Sequence, residues 1–564
     1  MEQNWISKLL FVAFTLLFIY GAHAENPSPR NDLKLHWFAD EPILALNESA
    51  LMIDGLYNDF LGHKIQKNHF TSSTLWYCRP TQIHLSLGKY SWSSMTVSFT
   101  IHKECIDLQD FKIDLFYGTD LNHLHKYHID PMADRVQYDY TAKDFPYYQS
   151  GSIFHAALTN LEPSQKYLYQ ITVRHNSNTN FNQLETKNPI ETTTTRFLRH
   201  RELLMNYSYA HSVKSPLLTF RTSHLPQDAK GTKMAIVADL GQTYNSTVTM
   251  YHMYKHTLLD LDPMPSTSSN DTDNSKSSYI SASIILCSGD MSYSDTNQKR
   301  WDRWFDLIEP LISKVPIQVL AGNHEVECDV NTYDSFTPYE TRFAMPSIKP
   351  AYRVGSNLPC DKQGSYINTT YSYEYGNSYY AFTQGLTRVI MLNSYSHISK
   401  ESEQYQWLVE ELEIASANRR LTPWIMVMVH VPLYNTFSAH QDEETTIYML
   451  EMIEPLFIKH RVNLVMSGHA HGYSRSTNVE YGEIVQTAPI YITVGEGGNR
   501  EQHSKSYRNE KPEDWIVKRD ITEYGFGTLE FLNATNAHWK WVRNELIISS
   551  HFTDEALIKN QYFL

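Results

Sequence analysis

The sequence predicts a two-domain protein of combined α+β and α/β class, with a β-sandwich followed by a layered α/β domain. Two changes of texture along its 564 residues predict this. Between Cys78 and Thr222, short alternating apolar runs are separated by Pro, Gly, Asn and Asp, as in a small β-sandwich. Beyond Ser223–Thr232, strands alternate with helical stretches, the mark of an α/β layered domain. A third observation concerns the second domain alone. Five of its apolar runs each end, within a few residues, in a side chain that binds hard metal ions.

Residues 1–24 read as a signal peptide. Lys8 supplies the positive n-region, Leu9–Tyr20 (LLFVAFTLLFIY) the apolar h-region and Ala22-His23-Ala24 the cleavage site. These 12 apolar residues fall short of the roughly 20 that span a bilayer. The mature chain, Glu25–Leu564, is therefore expected to be secreted or lumenal (extracellular, vacuolar or lysosome-like), with no membrane association after cleavage. Residues 25–77 form an extension with no assignable pattern. The sandwich, 78–225, contains the runs Gln82–Leu87, Met95–Ile101, Ile113–Tyr117, Ile153–Leu158 and Tyr167–Val173. It holds no cluster of metal-binding residues and reads as a structural or docking module.

The second domain, 230–545, carries the five runs. Met234–Ala238 leads to Asp239, and Ile284–Cys287 to Asp290 and Tyr293. Ile317–Ala321 leads to Asn323 and His324, Trp424–Val429 to His430, and Val462–Met466 to His469 and His471. Such runs read as buried strands, and in α/β sheets ligands gather beyond the carboxyl ends of strands. One helix is legible: Ser402 caps it, Glu403 sits in its first turn, and Tyr405, Leu408, Val409 and Leu412 form its apolar stripe. Pro265–Ser278 is a polar, low-complexity loop, and 546–564 is a tail.

The net charge of -14 argues against a nucleic-acid partner, since nothing neutralises phosphate along a groove. It leaves room for a small phosphorylated substrate, because bound metal ions supply positive charge locally. Six sequons, at Asn47, Asn206, Asn245, Asn270, Asn368 and Asn533, are candidate glycosylation sites. Five cysteines fit an oxidising compartment. Cys78 with Cys105 and Cys328 with Cys360 are candidate local pairs, while Cys287 lies inside a predicted buried strand and reads as a free thiol.

Asp239, Asp290 and Tyr293 offer two carboxylates and a phenol, a hard anionic set. A phenol with an unperturbed pKa near ~10 ionises at neutral pH only beside a strong Lewis acid, which points to iron(III). Asn323, His430 and His469 offer neutral donors that suit zinc, manganese or iron(II). Gly322–Glu325 (GNHE) combines a tight turn, an amide ligand and a second histidine, His324. Gly468–His471 (GHAH) spaces two imidazoles for two adjacent metals. Taken together, the five endings point to a binuclear metal hydrolase.

The series A-D-L-G, G-D-M-S-Y, G-N-H-E, V-M-V-H and G-H-A-H resembles the five-block signature of purple acid phosphatases, within the metallophosphoesterases. Ala238–Thr243 (ADLGQT), Pro80–Leu85 (PTQIHL), Asn160–Tyr169 (NLEPSQKYLY), Pro489–Asn499 (PIYITVGEGGN) and His538–Asn544 (HWKWVRN) extend the likeness to the large, plant-type members. The resemblance implies a fibronectin-III-like sandwich and a calcineurin-like catalytic domain. It implies acid hydrolysis of phosphate monoesters by metal-activated hydroxide at an Fe(III)–M(II) centre. Asp239, Tyr293 and His471 would bind iron(III), Asp290 would bridge, and Asn323, His430 and His469 would hold the divalent ion. Asn323, His324, His440 and Glu443 would meet the substrate, with His324 and His440 as the catalytic pair and Glu443 orienting His440. A homodimer is implied as well.

Three departures from the family pattern stand out. Ala238 replaces a glycine, Ala439 stands where some similar enzymes carry a histidine, and Tyr524–Gly527 (YGFG) replaces F-G-H-G, so Phe526 stands in place of a histidine that would contact either a ligand's outer face or the substrate. The rival readings are a phosphodiesterase or nucleotide pyrophosphatase using the same site, and a non-catalytic binding or adhesion glycoprotein. Decay would erase ligands first, and all seven are present.

Overall fold

Alternating residues in a strand face opposite ways, so Met95–Ile101 (MTVSFTI) sorts Val97, Phe99 and Ile101 onto one face and Thr96, Ser98 and Thr100 onto the other. In the computed structural model all seven residues of this strand are buried. The polar face is covered by the second domain. Ser98 Oγ lies 2.8 Å from His155 Nδ1, and His155 Nε2 lies 3.1 Å from the Thr341 carbonyl. Thr100 Oγ1 donates to Gln82 Oε1, which Arg342 also holds.

The structure describes residues 78–103, 105, 111–175, 212–229, 231–258, 283–332, 334–347, 373–546 and 549–563. All of them fall within one unit, Gly55–Leu564. The signal peptide, the extension 25–77, the loop Pro265–Ser278, Cys360 and the sequons at Asn47, Asn206, Asn270 and Asn368 lie outside the described residues.

The sandwich pairs a three-stranded sheet (Thr81–Leu87, Met95–Ile101, Ser152–Leu158) with a five-stranded one. The latter orders Leu218–Arg221, Lys166–His175, Phe111–Gly118 and His125–Ile129, with Ser212–Lys214 added to Lys166–His175. Cys78 and Cys105 form a disulfide, Cys328 is disulfide-bonded, and Cys287 is a buried free thiol. The seam to the second domain is polar and hydrogen-bonded. Gln82 N donates to Glu309, Leu87 N to Gln318 and Ser86 Oγ to the Ala344 carbonyl. Buried Arg342 reaches Asp302 and the hydroxyls of Tyr138 and Tyr148. Leaving a buried charge unpaired is costly, so this network fixes the sandwich against the second domain.

The second domain stacks two mixed sheets. One orders Ile317–Val319, Ile285–Cys287, Thr232–Val237, Gly525–Phe531, Asn536–Leu546 and Ser549–Lys559. Its first three strands are parallel. The other places Thr387–Met391, Trp424–Met428, Leu464–Ser467 and Ile490–Val494 in parallel. Tyr380–Gln384 lies antiparallel at its edge. Strands covered on both faces are apolar throughout, as Trp424–Met428 (WIMVM) is.

The helix Glu403–Ala417 begins at Ser402, whose side chain accepts from Tyr405 N. Its buried seam is Gln404, Leu408, Glu411, Leu412 and Ala415, so Tyr405 and Val409 lie on its flanks. The seam admits Gln404 and Glu411 because both are paired. Gln404 exchanges two hydrogen bonds with the Asn393 backbone, and Glu411 meets Arg388 at 2.6 Å. Among the described residues no helix is long and apolar enough to cross a membrane.

Candidate metal centre

All five apolar runs form strands that end at one place. Thr232–Val237 stops two residues before Asp239, Ile285–Cys287 three before Asp290, and Ile317–Val319 four before Asn323. From the other sheet, Trp424–Met428 delivers His430 and Leu464–Ser467 delivers His469. The turns that follow are sharp. Asp239, Asp290, Tyr293 and His469 all have φ between 50° and 66°. That left-handed region disfavours side chains and persists where surrounding structure over-determines it, most often at functional sites.

Two groups of donors result. In the first, the Tyr293 hydroxyl lies 3.2 Å from Asp239 Oδ1 and 3.0 Å from His471 Nε2, and that nitrogen is 3.5 Å from Asp239 Oδ1. In the second, Asn323 Oδ1 lies 3.1 Å from His430 Nε2 and 3.0 Å from His469 Nδ1. Asp290 Oδ2 is 3.2 Å from His430 Nε2. Donors bound at about 2.1 Å to one cation sit about 3 Å from each other, so both groups have the spacing of a coordination shell. Asp290, His430 and His469 together form a group able to hold a metal ion.

The outward nitrogen of each candidate imidazole is occupied. His430 Nδ1 meets the Ser288 carbonyl at 2.7 Å, His471 Nδ1 the Gln502 carbonyl at 2.9 Å, and His469 Nε2 the Glu443 carboxylate at 3.0 Å. Metal-binding histidines are held this way, with the other ring nitrogen free for the ion. The electrostatics agree. Burial pushes His430 down, but the Asp290 carboxylate overrides it and holds the pKa at about 9. A proton thus sits where the negative site calls for a cation. Burial and the Asp239 carboxylate hold the Tyr293 phenol well above its usual pKa, so only a strong Lewis acid would ionise it.

His324 is buried beside this centre. Its Nδ1 lies 2.5 Å from Asp295 Oδ1, and its Nε2 is 3.5 Å from Glu501 Oε1 and 3.9 Å from Asp290 Oδ2. Burial lowers its pKa, but Asp290 and Glu501 outweigh that and hold it at about 9. His440 lies on the other flank, about a third exposed, with Nδ1 2.7 Å from Glu443 Oε1 and its ring 3.9 Å from that of His469. Glu443 therefore serves two histidines, one more than the sequence suggested. It precedes the helix Glu444–Met452 but makes no side-chain cap there.

Several contributors carried no signal of their own in the sequence. Glu325 lies within G-N-H-E, yet its task appears only in three dimensions. Its Oε2 accepts from Asp290 N at 2.8 Å and Gly322 N at 2.9 Å, and its Oε1 from Met291 N at 2.9 Å. Asp295, two residues past Tyr293, grips His324 and is paired with Arg500. Tyr395 is buried and donates to Asn323 Oδ1 at 3.3 Å. The departures fit locally. A Cβ at Gly468 would lie 2.5 Å from the Ala238 Cβ, so the bare Gly468 leaves room for the larger residue. Phe526 is fully buried, its ring 5.7 Å from that of His256.

Comparison with known families follows the same order as the chain. Residues 80–195 match the purple acid phosphatase N-terminal domain, 232–473 the calcineurin-like phosphoesterase, and 488–554 the iron/zinc purple acid phosphatase-like C-terminal segment. The chain belongs to the purple acid phosphatase family. It is 34% identical to purple acid phosphatase 22 of Arabidopsis thaliana across 60% of this chain and 65% of that one. It is 28% identical to a phosphoenolpyruvate phosphatase of Allium cepa across 88% and 84%. The chain spans 54–65% of the length of three Arabidopsis purple acid phosphatases that it matches. The fold is that of the yellow lupin purple acid phosphatase PPD1, with a TM-score of 0.61 at 19% identity over 85% of this chain and 74% of that one. The family implies a binuclear metal centre, and the two donor groups described above have the spacing and chemistry for it.

Proposed function

We propose that this protein is an acid phosphatase hydrolysing phosphate monoesters at a binuclear centre. Asp239, Tyr293 and His471 would hold iron(III), and Asn323, His430 and His469 a zinc, manganese or iron(II) ion, with Asp290 between them. The observation that carries this reading is the pairing of a hard anionic trio with a neutral trio, each spaced as one coordination shell. The two ions supply Lewis acidity, polarising a phosphoryl oxygen and acidifying water.

The chain's own residues do the rest. His324, held as an imidazolium by Asp290 and Glu501 and anchored through Nδ1 by Asp295, turns Nε2 toward the centre as a donor for phosphoryl oxygen. His440, oriented by Glu443, is placed to protonate the leaving alcohol. Imidazole donors in general are charged in acid, which favours an acid optimum. The Cys78–Cys105 disulfide supports an oxidising, lumenal or secreted setting. Asn533, exposed in the turn to Asn536, and Asn245, at the start of the helix Tyr244–Leu258, remain the candidate glycosylation sites within the described residues.

The test is phosphate release from an aryl phosphate between pH 4 and 8, for wild type beside His430→Ala, with bis-nitrophenyl phosphate in parallel. Acid-side monoester turnover lost in the variant supports the reading. A clear excess for the diester, or no metal-dependent release at any pH, overturns it.

A further inference from the structure

The segment Asn499–Ser504 lies against His471. The Gln502 carbonyl faces His471 Nδ1 at 2.9 Å, and Ser504 N donates to the His471 carbonyl at 2.7 Å. A proton on Nδ1 leaves the Nε2 lone pair toward the Tyr293 hydroxyl, 3.0 Å away. Gln502 reaches this position with φ of 69°. For a residue with a side chain that conformation costs about 1–2 kcal/mol and needs flanking contacts to persist.

One flank is fixed by Asn499, whose Nδ2 donates to the Asp239 carbonyl at 3.1 Å and whose Oδ1 accepts from Glu501 N at 2.8 Å. The other flank is fixed by His503. Its Nδ1 lies 2.6 Å from Glu496 Oε2, and its ring stacks on Tyr524 with centroids 4.0 Å apart and planes at 23°. Glu496 is 1% exposed, and its Oε1 has no hydrogen-bond partner. A buried carboxylate is expensive to leave alone, so His503 and Glu496 hold each other firmly. Glu496 is tied into the core through its own carbonyl, which accepts from Gly525 N at 2.7 Å.

We infer that the Glu496–His503 pair is a positioning clasp for His471, keeping the Gln502 carbonyl on Nδ1 and so fixing the tautomer and angle with which His471 meets iron. The inference rests on the metal assignment proposed above. Neither member of the clasp is a ligand, and neither lies in the divalent group.

The test uses full-length protein loaded with iron and zinc, as wild type, His503→Phe, Glu496→Gln and His503→Gln, the last keeping an N–H donor. Retained iron and zinc are measured after dialysis against a chelator, with the tyrosinate-to-iron(III) visible band and the thermal midpoint of metal-free protein. Losing an outer partner of a metal-bound histidine weakens metal binding by about 10–100-fold. His503→Phe and Glu496→Gln should therefore weaken iron retention at least about tenfold and shift the band. Zinc should be retained, Glu496→Gln, which removes the buried charge, should keep the metal-free midpoint near that of wild type, and His503→Gln should recover part of the loss. An unchanged band and iron affinity would overturn the clasp, as would a metal-free Glu496→Gln protein destabilised as much as the loaded one. Wild type that binds no iron would instead overturn the metal assignment, and the clasp with it.

Discussion

Glu325 Oε2 accepts the backbone N–H of Asp290 at 2.8 Å, joining the turn after one strand to the turn after its parallel neighbour. The same carboxylate also receives Gly322 N and Met291 N, so three buried donors of two ligand-bearing turns converge on one side chain. The left-handed backbone of Asp290 is thereby held from outside the metal centre.

Glu325→Ala should accordingly cost stability and metal together. Stranding three buried N–H groups at about 1–3 kcal/mol each predicts a loss of about 3 kcal/mol or more. Denaturant unfolding of metal-free protein measures the first effect and metal content the second. A variant with unaltered unfolding would show that the two turns hold themselves.

Tyr293→Phe removes the single phenolic donor of the proposed iron group and leaves Asp239 and His471 in place. The visible tyrosinate-to-iron(III) band should vanish, and monoester turnover should fall by about 100-fold or more, the scale for losing an electrostatic stabiliser. Absorption spectra and kcat on the same preparation check this. Persistence of the band would assign the colour to another group.

Glu443 and His440 should separate cleanly. Glu443→Ala removes the outer partner of His469, so divalent-metal affinity should fall about 10–100-fold while iron stays. His440→Ala should leave both metals bound and lower kcat, most for esters with poor leaving groups. Metal titration beside kinetics on an aryl and an alkyl phosphate distinguishes them. Equal loss of divalent metal in both variants would remove His440 from catalysis.

The pH dependence of stability can be read at Glu340, away from the metal centre. Burial raises its carboxyl to about 7, opposed by hydrogen bonds from Tyr373 and Asn377. Below its unfolded value of 4.5 both states hold the proton, and no penalty arises. As pH rises toward 7 the unfolded chain ionises first, so the folded state loses stability, up to about 3 kcal/mol. Glu340→Gln keeps the size and one acceptor oxygen. It should be more stable than wild type at pH 7 and converge with it near pH 4.5. Thermal unfolding across that range checks the sign; parallel curves would refute it.

The seven candidate ligands were legible because each follows an apolar run, and burial of both sheet faces forces such runs to be apolar. The helix at Ser402 was legible for its cap and for Leu408 and Leu412 in its seam, but Tyr405 and Val409 lie on its flanks, because Gln404 and Glu411 are polar residues buried with partners. Strands such as His125–Ile129, exposed along most of their length, carried no apolar alternation to find.

By itself, then, the sequence determined which residues stand at strand ends and what chemistry they offer, since both follow from local hydrophobic pattern and side-chain type. Only the tertiary structure decided which groups share a cation-sized space and what fixes their orientation. Ser288, Gln502 and Glu443 act on His430, His471 and His469 across 142, 31 and 26 residues of chain. Two of those three partners are backbone carbonyls, a group that every residue carries, so no side-chain pattern could mark them.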